Sequence, residues 1–143
     1  MKVVHWGEAP KESWRAGSET RLHASALTGT EHLCVGEQWF EPGVGTPPAC
    51  HAAGVEEVIS VLEGTAQVHV GDEMLVVSVG QSVIIPGGAV HQLVAINNEP
   101  LRIWFALSAP APIVFLADGS GDTFTIGGTE DGRVISVNPR TDQ

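Results

Sequence analysis

The sequence contains no tyrosine, only two cysteines, and only seven lysines and arginines among its 143 residues. Without tyrosine, no mechanism here can use a tyrosyl acid or radical. Cys34 and Cys50 are too few for a disulfide framework, and in a reducing compartment both are expected as thiols. The basic residues Lys2, Lys11, Arg15, Arg21, Arg102, Arg133 and Arg140 are scattered along the chain. They face 17 acidic residues, for a formal net charge of -10. Nucleic acid and anionic membranes both require clustered basic side chains, so neither is expected as a partner. The acidic balance reads as a solvated surface. No apolar run approaches the roughly 18 residues that span a bilayer. The first ten residues, MKVVHWGEAP, lack the apolar segment of about 7–15 residues that a secretory signal needs, so a cytoplasmic location is expected. Also missing are a glycine-rich phosphate loop, a Gly-x-Ser-x-Gly elbow and a Cys-x-x-Cys pair.

Helical spacing of apolar residues is absent too, and so is any fixed-period repeat. What remains is a chain with 43% hydrophobic residues, 17 glycines and nine prolines, long enough for one domain with its own core. Short β-branched runs alternate with turn residues, the pattern of an all-β sandwich or barrel. Strands are expected at residues 21–26, 33–41, 57–62, 65–70, 74–79, 82–85, 91–96 and 101–107. Gly64, Gly71-Asp72, Gly80-Gln81, Pro86-Gly87-Gly88 and residues 97–100 supply the turns. The barrel core is expected to span about 21–110, preceded by an arm, 1–20, carrying Trp6 and Trp14. The extension, 111–143, is read as a tail whose segments 122–126 and 133–137 form a hairpin. Such an arm packs on the barrel or on a second copy of the chain, and a homodimer is expected.

Two segments carry the chemistry. The first places Gly45, His51, Ala53, Glu57 and Gly64 in order, and the second places Gly80, Pro86, Gly88, His91 and Ala95. Here the sequence resembles the cupin superfamily. Its first motif is Gly, five residues, His-x-His, three or four residues, Glu, six residues, Gly. Its second is Gly, five residues, Pro-x-Gly, two residues, His, three residues, Asn. Eight of the ten fixed positions match without a gap. The resemblance covers about 37–107 and implies a jelly-roll barrel, the double-stranded β-helix, enclosing a ligand cavity.

The resemblance also implies a divalent metal held by His51, Glu57 and His91. Two imidazoles and one carboxylate with open positions form the facial arrangement of non-haem Fe(II) oxygenases, so Fe(II) is favoured over Zn, Ni or Mn. An inward Glu57 needs a cationic partner, because a buried lone carboxylate is costly. Ala53 stands where the family motif has its second histidine. It is expected on the His51 face, leaving room for water or substrate. Ala95 stands where the motif has asparagine, with Asn97 and Asn98 close by.

Gln38 and Phe40 share a strand face and are candidate substrate contacts, with a rim position as the alternative for Gln38. Arg102 or Trp104 is a candidate for the barrel mouth, Arg102 either fixing an anionic group or remaining exposed. His69 is expected to point outward, Glu56 into solvent, and Cys50 to serve as a small buried hydrophobe opposite His51. His5, His23 and His32 are read as surface residues or N-terminal packing. The expected function is a metalloenzyme acting on a small organic molecule, with O2-dependent, dioxygenase-type oxidation ranked first. A metal-dependent isomerase, lyase or cyclase is the second reading, and a non-catalytic ligand-binding barrel the third.

Overall fold

The computed structural model describes residues 1–9, 11–127 and 135–138. Among the described residues, thirteen strands follow in chain order: β1 (Glu12–Arg15), β2 (Ser18–Ala24), β3 (Cys34–Phe40), β4 (Ala49–Cys50), β5 (Glu57–Glu63), β6 (Thr65–Val70), β7 (Glu73–Ser78), β8 (Ser82–Ile85), β9 (His91–Ala95), β10 (Leu101–Leu107), β11 (Ile113–Leu116), β12 (Thr123–Ile126) and β13 (Ile135–Asn138). Two single 3-10 turns, Trp6–Glu8 and Ala26–Thr28, are the helical elements among the described residues. The second is closed by a capping box, Ser25 and Thr28 each bonding the other's backbone.

The strands form two antiparallel sheets, one ordered β1-β2-β3-β10-β5-β8 and the other β13-β12-β11-β4-β9-β6-β7. From β7 onward, successive strands connect within or between these layers so that β8 and β10 lie in the first sheet while β9 and β11 lie in the second. This is the wrapping of a jelly roll. Alternation decides what enters the core. Along β10, Leu101, Ile103, Phe105 and Leu107 are buried, while Arg102, Trp104 and Ala106 are only partly covered. The same parity buries Ile59 and Val61 of β5, and Leu93 and Ala95 of β9.

Two glycines let the layers close. At Gly64, with φ +79°, the chain leaves β5 and enters the other sheet, and an added Cβ would lie 2.2 Å from the Pro100 carbonyl oxygen. At Gly45 a Cβ would lie 2.1 Å from the Leu93 oxygen, so only glycine lets this loop bridge to β9. Asn97 and Asn98 also adopt positive φ, 64° and 51°, in the turn between β9 and β10, where asparagine is tolerated best after glycine.

The structure corrects several boundaries. The arm is not an appendage: β1 and β2 form the outer strands of the six-stranded sheet, and β2 begins at Ser18 rather than Arg21. The expected strand over 21–26 ends at Ala24, because Ser25 turns the chain into the 3-10 segment. The turn at Gly64 carries the chain from one sheet to the other: β5 pairs with β10 and β8, and β6 with β7 and β9. Beyond Pro112 the chain is no tail. β11 pairs with β4, and β12 pairs with β11 and β13. The expected C-terminal hairpin is therefore present as β12–β13, while residues 128–134 lie outside the described residues, as does the Trp14 side chain.

Candidate metal centre

His51, Glu57 and His91 each stand at a strand end. Cys50 closes β4, Glu57 opens β5 and His91 opens β9. Pairing aligns these ends, with Ala49 opposite His91 and Glu57 between Leu107 and Ile85. One ligating atom from each of the three lies within 4.8 Å of the others. Glu57 Oε1 is 3.0 Å from His91 Nε2 and 3.4 Å from His51 Nε2, and the two rings are 5.3 Å apart. His51 and Glu57 are each 8% exposed.

The other ring nitrogens are engaged. His51 Nδ1 lies 3.0 Å from the Ile113 carbonyl oxygen, and His91 Nδ1 lies 3.0 Å from that of Ala89. A carbonyl only accepts, so each Nδ1 carries a proton, and each ring turns its Nε2 toward Glu57. Each Nε2 faces the Glu57 carboxylate oxygen, a contact that a shared proton or a shared metal cation makes favourable. Burial pushes the Glu57 carboxyl up, but hydrogen bonds from His51 and His91 and their charges outweigh it, so the net shift is downward. Burial lowers His91, yet its hydrogen bond to Glu57, that carboxylate's charge and the Ala89 bond raise it overall. The site is built to hold cationic charge. Two imidazole nitrogens and one carboxylate oxygen, with both Nδ1 atoms fixed from outside, fit a first-row divalent metal.

Beside these atoms opens a cavity of about 70 Å³, walled mainly by Ile59, Leu93, Phe105, Leu107, Val114 and Phe124, with Thr20, Gln38 and Thr46 as polar members. At roughly 15 Å³ per water it has room for a small organic molecule.

The family model for the cupin domain matches residues 27–108. The chain belongs to the cupin family. No curated protein matches it. Among solved structures this cupin resembles the polyketide cyclase RemF from Streptomyces resistomycificus, at 26% identity and TM-score 0.64, over 75% of this chain and 78% of that one. It also resembles a cupin-superfamily sugar phosphate isomerase from Silicibacter pomeroyi, at 14% identity and TM-score 0.69, over 97% and 93%. A third likeness is to oxalate oxidase in complex with glycolate, at 20% identity and TM-score 0.65, over 78% of this chain and 60% of that one. The latter two show the fold alone.

Of the residues singled out in the sequence, the structure brings together His51, Glu57 and His91 and sets Gln38 in the cavity wall. It moves the others. Phe40 shares the Gln38 face but is packed in the core, 2% exposed, outside the cavity lining. Ala53 is exposed in a turn beside Gly88 and does not line the cavity, because β4 ends at Cys50 and the alternation expected from His51 to Ala53 has no strand to run on. Arg102 and Trp104 lie on the outer face of β10, opposite in phase to Phe105 and Leu107. Cys50 is only half-buried; Cys34 is the buried thiol. His69 faces outward beside Gln67, and Glu56 is exposed, as expected.

Arg102 instead serves Glu37, which is 1% exposed on the outer face of the six-stranded sheet. Arg102 Nη2 and Nε donate to Glu37 Oε2 at 2.7 and 3.1 Å, and His23 Nε2 lies 3.2 Å from Oε1. Trp6 stacks on His23 at 4.1 Å. The basic residues are also less scattered than their sequence positions: Lys11, Arg21 and Arg102 surround the Trp39 ring at 4.1, 5.7 and 5.7 Å. Sequence reasoning missed the cavity walls at Thr20, Val114 and Phe124. They lie outside the motif region, and only sheet order reveals them. The Ile113 carbonyl, a backbone group, left no signal at all.

Proposed function

We propose that this cupin is a metal-dependent enzyme acting on a small organic molecule. A divalent ion, Fe(II) before Zn, Ni or Mn, is held by His51 Nε2, Glu57 Oε1 and His91 Nε2, and the reaction is an O2-dependent oxidation. The observation that carries this reading is the convergence of those three atoms while both Nδ1 nitrogens are tied to backbone carbonyls. When bound, such an ion supplies Lewis acidity and, as Fe(II), one-electron chemistry toward O2. The chain's own residues do the rest. Ile113 and Ala89 fix the imidazoles, Glu57 balances the charge, and Phe105, Leu107 and Leu93 keep bulk water from the reacting molecule. Gln38 is proposed as a substrate contact.

Elemental analysis of anaerobically purified protein tests this reading. Near-stoichiometric metal in the wild type and none in His91→Ala supports it, while no metal under reducing, iron-supplemented conditions overturns it. Oxygen uptake on adding small chelating oxygen compounds to the Fe(II)-loaded protein tests the oxidation. Turnover that persists without O2 instead supports a cyclase or isomerase, the reading favoured by the 26% identity to RemF.

We further propose a homodimer joined through the N-terminal arm. β1 is an edge strand of the six-stranded sheet, and an open edge is a template for a second chain. Light scattering at micromolar concentration should give twice the 15.0 kDa chain mass; a particle of one chain overturns the proposal.

A further inference from the structure

Among the described residues, no lysine or arginine lines the cavity beside the three clustered side chains. An anionic ligand entering there would lose its hydration without a fixed counter-charge from the wall's own side chains. The apolar wall favours an uncharged ring of small size.

Polar groups in the wall are few. Thr46 Oγ1 already accepts from the Leu93 N–H at 3.1 Å. Thr20 and Gln38 are directly paired across β2 and β3, and Gln38 Nε2 donates to Thr20 Oγ1 at 3.1 Å. That bond orients the carboxamide and uses one of its two N–H groups. Gln38 Oε1 accepts no hydrogen bond from the described residues, and it is not among the buried atoms sealed away without a partner. In a residue that lines the cavity, an oriented carboxamide keeps its oxygen as an acceptor for an entering donor.

We propose that the cavity takes a neutral, single-ring molecule carrying a hydroxyl group, and that Gln38 Oε1, held by Thr20, is the acceptor that selects this hydroxyl. The proposal rests on the reading of this cavity as the substrate site, but its test does not depend on turnover. Calorimetric titration of the full-length protein, metal-stripped by chelation and Zn(II)-loaded, would use phenol, anisole and benzoate as probes. Anisole keeps the ring and loses the donor; benzoate keeps the ring and adds charge.

Phenol should bind about five-fold more tightly than anisole, the worth of one hydrogen bond. Benzoate should bind more weakly than phenol to the metal-stripped protein, where only the wall's own groups act. Gln38→Met, which keeps side-chain length, should erase the preference for phenol over anisole while leaving anisole binding in place. Thr20→Val should weaken the same preference by freeing the carboxamide, and it stands in if the methionine variant does not fold. Equal binding of phenol and anisole by wild type, an unchanged preference in both variants, benzoate as the tightest ligand of the metal-stripped protein, or no binding of any probe overturns the proposal. Metal analysis reads the proposed function separately. Protein that binds no metal yet prefers phenol sinks that reading alone, and metal-loaded protein with no preference sinks this one alone.

Discussion

The Ile113 carbonyl oxygen accepts a hydrogen bond from His51 Nδ1 at 3.0 Å, joining residues 62 positions apart. It lies outside the segment matched by the cupin model, so a strand beyond the motifs sets the direction in which a motif histidine presents Nε2. Removing Nε2 altogether, in His51→Ala or His91→Ala, should abolish stoichiometric metal binding. Glu57→Gln keeps the shape but loses the charge, and should weaken binding by more than the about tenfold that an outer hydrogen-bond partner is worth. Competition with a chromophoric chelator measures all three, and unchanged affinity in any of them would count against that residue as a ligand.

The two thiols should differ sharply. Burial, with the nearby Glu57 charge adding to it, pushes the Cys34 pKa up to about 12, and the side chain is fully enclosed. Cys50 is partly open. An aromatic disulfide reagent at pH 8 should therefore titrate one thiol in the native protein and two after denaturation. Rapid reaction of both, or labelling at Cys34 by mass spectrometry, would contradict this arrangement.

Acid should release the Glu37 cluster. Burial pushes this carboxyl up, but hydrogen bonds from Arg102 and His23 and their charges outweigh it, so the folded pKa lies below 4.5. A depressed carboxylate pKa contributes stability that is complete above the unfolded value and is lost as pH falls through the folded one. Glu37→Gln should cost about 2 kcal/mol near neutrality, and the gap to wild type should narrow below about pH 4.5. Urea unfolding at a series of pH values measures it; a pH-independent gap would show that the charge is not what matters.

Ile103 is fully buried at the centre of β10 and does not line the cavity. Ile103→Ala should destabilise the fold by about 3 kcal/mol. The urea midpoint should fall with little change in slope. Metal stoichiometry should be retained, in contrast to the ligand variants.

The sequence by itself determined the all-β class and the turn positions, and its resemblance to the cupin motifs implied the three converging residues. The class and the turns follow from local rules, period-two burial along strands and glycine or proline at tight turns. It also determined that Gln38 and Phe40 share a face. Tertiary structure alone decided the rest. Parity within β10 could be read either way from LRIWFAL, since both faces carry large side chains; only pairing with β3 and β5 turned Phe105 inward and Arg102 toward Glu37. Ala53 left the site because β4 stops after two residues. The C-terminal strands became cavity wall because sheet order sets β11 beside β4, a contact between segments more than sixty residues apart in sequence, as the His51–Ile113 bond is. Local spacing carries no information about such pairings, which are fixed by the burial of apolar surface when the two sheets close on each other.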